Sequence, residues 1–171
     1  PQLLQIPLVR KVLLMSVGVF LFNHGLNNWL PEILRHTGMS TVQAGYWAAI
    51  PTMVGIIGSL IIPRWATPAR RKMILFSLFL CAASAVLLIA FSSDMMLAFG
   101  LFLQGVARSS LMSITMLVLM ESSEIGQQNM GAAGGLFFTA AEIGGVTGPL
   151  LLGVLADMTG GFEVSLVLLC G

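Results

Sequence analysis

Long apolar stretches separated by short polar breaks divide the chain. They occupy residues 12–34, 43–62, 73–92, 95–120 and 130–156, and a sixth begins at Phe162 and runs to Gly171. Each of the first five approaches or exceeds the ~20 apolar residues that an α-helix needs to cross a bilayer. The pattern predicts an all-α, polytopic transmembrane helical bundle, with five full spans and the start of a sixth in one domain over residues 1–171. One position breaks it. Arg108 stands near the middle of the fourth stretch, where a charge is costly and therefore points to function.

Composition agrees with the pattern. Charged residues make up 9% of the chain and hydrophobic ones 57%, against about 25% charged in a soluble domain. Too few charges remain to coat a core in water, so lipid is the coat. The net charge of +1 and the lack of a large clustered basic face leave no footing for nucleic acid. Cys81 and Cys170 lie inside apolar stretches without CxxC spacing, which reads as packing and not as a disulfide or metal site. Arg10 and Lys11 ahead of an apolar run recur in signal peptides, but four further spans follow and the segment reads as the first helix.

Basic residues orient the bundle. If the helices alternate, Arg10, Lys11, Arg64, Arg70, Arg71 and Lys72 share one side and Arg35 stands on the other. The positive-inside rule places the first side in the cytoplasm, as in a bacterial inner-membrane protein. The loops at 35–42, 93–94 and 157–161 are then outside, and those at 63–72 and 121–129 inside. Pro1 in place of an initiator Met, and a sixth span that stops short, suggest a chain continued at both ends.

The spans differ in kind. The third holds only apolar side chains and small hydroxyls, as a peripheral helix should. The first carries Asn23, His24, Asn27 and Asn28, and positions 24, 27, 28 and 31 share a face through i+3 and i+4 spacing. The fourth carries Gln104 and Arg108, again four apart. Such polar first members are what two inverted three-helix repeats lining a pathway would give. Spans two and five are rich in Gly with an internal Pro: Pro51, Gly55 and Gly58 in one, Gly144, Gly145, Gly148 and Pro149 in the other. Gly131/Gly135 and Gly144/Gly148 are GxxxG pairs that let a neighbouring backbone approach closely.

The run Gly144-Gly145-Val146-Thr147-Gly148-Pro149, followed by Gly153, Asp157, Thr159 and Gly160, resembles the penultimate helix and outer loop of the major facilitator superfamily. Gly25, Trp29-Leu30-Pro31, then Gly38, Ser40, Ala44 and Gly45 are similar to that family's seventh helix. The resemblance implies the C-terminal six-helix half of a twelve-helix secondary transporter, with an N-terminal half to supply the rest of the site. The Trp-Leu-Pro and Ala-Gly pattern looks most like the cyanate and nitroimidazole permease group. One departure stands out. The family's loop after the second helix of this half carries a Gly, an Asp and a basic pair, whereas here Arg64 and Arg70-Arg71-Lys72 stand without an acid. The basic cluster either sets topology alone or gates through Glu121 or Glu124 of the other inside loop.

Depth brings three ionisable groups together. Arg108 lies 12 residues before Met120 and Glu142 lies 12 residues after Met130, so both fall ~18 Å from the inner boundary, near the midplane. His24 falls at a similar level. Arg108 and Glu142 could form a structural ion pair. Alternatively, an anionic solute reaches Arg108 and displaces or protonates Glu142, coupling binding to a proton. Gln104, Asn27, Asn28 and His24 would orient a small polar solute, or serve as interhelical glue. Trp29, Trp47 and Trp65 read as interfacial anchors, and Glu32, Arg35, Asp94, Asp157 and Glu163 as solvated loop charges.

No HExxH helix, GxSxG elbow or Gly-rich phosphate loop is present, so no enzyme and no cofactor is expected. Movement of a small anion by alternating access is the favoured function. Export of hydrophobic drug-like compounds across a Met- and Phe-lined wall, or a non-transporting structural or sensor subunit, are the alternatives.

Overall fold

The computed structural model describes residues 3–91 and 94–169. Cys170, Ser93 of the expected outer loop and both chain ends lie outside the described residues. Six helices follow one another: α1 (Pro7–His36), α2 (Thr41–Trp65), α3 (Arg71–Phe91), α4 (Asp94–Met120), α5 (Met130–Thr159) and the short α6 (Glu163–Leu168). Four of the five apolar stretches fall within one of the first five helices, the third does so over 73–91 with its last residue, Ser92, outside the described residues, and no strand occurs among the described residues. Asp94, expected in a loop, opens α4.

Local chemistry sets the breaks between helices. Gly38 adopts a positive φ of 94° after α1, a backbone that side-chain-bearing residues rarely take. Ser40 and Gln43 then form a reciprocal capping box that starts α2: Ser40 Oγ accepts from the Gln43 N–H at 3.3 Å, and Gln43 Oε1 accepts from the Ser40 N–H at 3.1 Å. Within the spans, several hydroxyls close on their own helix, as where Thr115 donates to the Leu111 carbonyl at 2.6 Å and Thr147 to that of Ile143 at 2.7 Å. Such bonds leave no polar atom for lipid to solvate.

α1 is the central element, packing most extensively on α5 and also on α4 and α2. α4 packs in turn on α2 and α3. Two backbone contacts through glycine hold these layers. A Cβ on Gly144 would collide with the Val17 carbonyl of α1, and one on Gly148 with the Leu21 carbonyl, so α5 lies backbone to backbone against α1. A Cβ on Gly105 of α4 would meet Pro51 O of α2 at 2.6 Å. The second GxxxG pair behaves differently, since Gly131 and Gly135 have nothing within 4 Å of an added Cβ. The core is filled by Leu26, Leu30, Leu34, Leu101, Leu111, Ile114 and Phe137. The outer surfaces carry Met53, Ile57, Leu60, Phe76, Leu80 and Leu150, a lipid-facing coat.

Gly144→Val should therefore disrupt the bundle, lowering its thermal unfolding midpoint in detergent by the equivalent of about 3 kcal/mol or more. Gly135→Ala, in open space within a helix, should be neutral or slightly stabilising. Equal effects of the two would refute the α1–α5 contact.

Candidate functional site

The polar stripe of α1 is built from residues four apart. Phe20 and His24 stack at 5.5 Å between ring centroids with 15° between planes, and Asn23 and Asn27 form the adjoining row. α4 brings Arg108 against this stripe. The Arg108 guanidinium donates to Asn27 Oδ1 at 2.8 Å, and Asn23 Nδ2 donates to the Arg108 carbonyl at 3.3 Å. Phe20, Asn23, His24, Asn27, Arg108, Ser109 and Met112 line a cleft of about 280 Å³. The partly buried guanidinium there has a neutral amide oxygen as its partner. None of the ion pairs among the described residues includes it.

The expected direct pairing of Arg108 with Glu142 is not made. Glu142 is exposed on α5, and at this level α1 lies between α5 and α4. Where α4 and α5 do touch, Met116 and Met120 meet Gly134, more than one turn nearer the basic end that carries Arg64 to Lys72. Glu142 and His24 border the same point beside Gly145 instead, with no ion pair between them among the described residues. From the point where a Gly145 Cβ would stand, Glu142 Oε2 is 3.3 Å away and His24 Cδ2 is 3.7 Å away. His24 therefore lines the Arg108 cleft and also neighbours the Glu142 carboxylate.

Gln104, expected beside Arg108 as a solute ligand, is fully buried and is not among the residues lining that cleft. Both atoms of its amide lack a hydrogen-bond partner. Four-residue spacing places it near Arg108, but the rotation of α4 turns it into the core. Asn28 is exposed and outside the cleft lining. Asn23 and Phe20 carry more of the site than sequence reasoning gave them. Their signal was the same spacing, since each sits four residues before a residue already singled out.

At the basic end, Arg71 Nη2 lies 2.6 Å from Glu121 Oε2, joining the start of α3 to the residue after α4. Arg64, Arg70 and Lys72 are exposed around it. At the far end Trp29 is tied to α5. Its indole Nε1 donates to the Pro149 carbonyl of α5 at 2.8 Å, and its ring packs on Phe162. Trp65, the last residue of α2, is 68% exposed.

Residues 12–171 match the family model of the Major Facilitator Superfamily, and the chain belongs to that superfamily of integral membrane proteins. It is 30% identical over 182 residues to a "Quinolone resistance transporter" of Acinetobacter baumannii, covering 94% of this chain and 38% of the relative. It is 26% identical to the "Uncharacterized transporter YycB" of Bacillus subtilis (strain 168), covering 91% and 39%. An "Uncharacterized protein" of Archaeoglobus fulgidus is 28% identical, covering 95% of this chain and 74% of the relative. The chain thus spans under two-fifths of the length of the first two relatives. No solved structure matches it.

Two substitutions test the burial pattern. Gln104→Met should raise thermal stability by about 1 kcal/mol or more, because it removes an unpaired buried amide at similar volume. Trp29→Phe should lower stability by about 1 kcal/mol through loss of the bond to Pro149. A stability loss in Gln104→Met would mean that its amide has a partner.

Proposed function

We propose that the chain forms one six-helix half of a secondary active transporter that moves a small anionic solute by alternating access. A second half would face the surface bearing Asn27, His24, Arg108 and Glu142. The observation that carries the reading is the guanidinium of Arg108 within the span α4, open to a cleft and without a carboxylate partner among the described residues. A cation so placed costs several kcal/mol unless an anion joins it. A carboxylate or similar anion would take the planar fork of Arg108, with Asn27 and His24 beside it. Glu142, next to His24, is the group to carry a coupling proton. Arg64, Arg70, Arg71 and Lys72 mark the cytoplasmic end in a bacterial inner membrane, where the Arg71–Glu121 contact joins two loops across the helix ends. The activity is solute movement, with no covalent chemistry. The narrower kinship with cyanate and nitroimidazole permeases rests on Trp29-Leu30-Pro31 and Ala44-Gly45.

A second reading is export of drug-like compounds. The name of the A. baumannii relative favours it, and Phe20 and Met112 give the cleft an apolar wall that such cargo would use.

Uptake of labelled small anions into proteoliposomes discriminates these readings. Arg108→Gln should abolish anion uptake while the protein stays monodisperse on size exclusion, and Arg108→Lys should retain a fraction because it keeps the charge and loses the fork. Full anion uptake in Arg108→Gln would remove the anion from the proposal.

A further inference from the structure

Arg108 belongs to two clefts. Besides the one against α1, it lines a second of about 210 Å³ between α2 and α4, together with Ser109 of α4 and Thr52, Gly55, Ile56 and Ser59 of α2. Positions 52, 55, 56 and 59 form one stripe of α2 through i+3 and i+4 spacing. Close backbone packing holds this stripe on α4. Pro51 stands against Gly105, and a Cβ on Gly55 would meet Gly105 O at 3.3 Å and Ser109 Oγ at 3.5 Å. The position of Thr52 along α4 is therefore set by main chain and not by flexible side chains.

Two donors in the walls of this cleft are unused. The guanidinium of Arg108 carries several N–H groups, and its bond to Asn27 employs Nη1 alone. Asn27 Oδ1 takes that donor from the side of α1, so an anion seated on the same flank would meet a second oxygen. The other unused donor is the Thr52 hydroxyl. Thr115, Thr139 and Thr147 each donate to a carbonyl one turn back, at 2.6, 2.8 and 2.7 Å. Ser59 and Ser109 do the same within the cleft itself, at 2.8 and 3.2 Å. Thr52 is exposed to the cleft and makes no hydrogen bond among the described residues. A hydroxyl inside a span that forgoes its own helix is left for a ligand to satisfy.

We propose that Thr52 is a solute-binding residue, whose hydroxyl donates to an oxyanion, a carboxylate in the first instance, seated on Arg108 in the cleft between α2 and α4. This rests on the reading that Arg108 takes an anionic group, and it adds where that group sits and a second residue that holds it. Arg108 and Ser109 line both clefts, so the remainder of the solute extends past them toward Phe20 and His24 of the α1 cleft.

The test is equilibrium binding of benzoate to the intact protein in detergent, by wild type, Thr52→Val, Thr52→Ser and Arg108→Gln. Val keeps the shape of Thr at an exposed position and Ser keeps the hydroxyl, and folding is checked by size exclusion. Thr52→Val should weaken benzoate about tenfold, as loss of a hydrogen bond to a charged group does, while Thr52→Ser stays within about twofold of wild type. Unchanged affinity in Thr52→Val, with binding lost in Arg108→Gln, would overturn the role of Thr52 and leave the anion site standing. Equal losses in Thr52→Val and Thr52→Ser would also overturn it, because position 52 would then act through shape and not through its hydroxyl. If wild type binds no benzoate, or Arg108→Gln binds it as well as wild type, the anion site and the role of Thr52 fall together.

Discussion

The approach of α1 to α5 at Gly144 and Gly148 governs the rest of the bundle. In lipid there is no hydrophobic force to press two helices together, so close backbone packing must do that work, and two glycines one turn apart allow it. From this contact the arrangement of the site follows. α1 becomes the wall between α4 and α5, the Glu142 carboxylate is delivered to His24, and Arg108 is left to the asparagines on the other side of the same helix.

Much of the fold was legible in the sequence because the bilayer imposes so few solutions. A stretch of twenty apolar residues has little choice but to become a helix, and five of them did. What counting along one helix could not supply was its neighbours. Gly131/Gly135 and Gly144/Gly148 carry the same motif, yet one pair is packed on a backbone and the other faces open space. Gln104 shares a stripe with Arg108 and is nevertheless in the core, because a stripe has width and only the crossing of α4 with α1, α2 and α3 decides which edge is covered.

The tryptophans make the same point. An indole near the end of a span is by default an interfacial ring, and Trp65 fits that description. Trp29 lies two residues before Pro31, about two turns from the end of α1, and its N–H finds the carbonyl of Pro149 while its ring covers Gly153. A proline so placed cannot donate back into its own ladder, so α5 has one turn without its usual bond near the position where the indole fastens it.

α5 is therefore held unevenly along its length. Its middle is clamped by backbone contacts, whereas its beginning meets the thioether methyls of Met116 and Met120 at Gly134 and leaves Gly131 and Gly135 bare. Mechanically this is a lever with its fulcrum near the midplane. A swing of ~10° about the clamp would carry the Met130 end by about 4 Å, given the rise of an α-helix. The side chains that it slides across are flexible methionines, which repack at little cost.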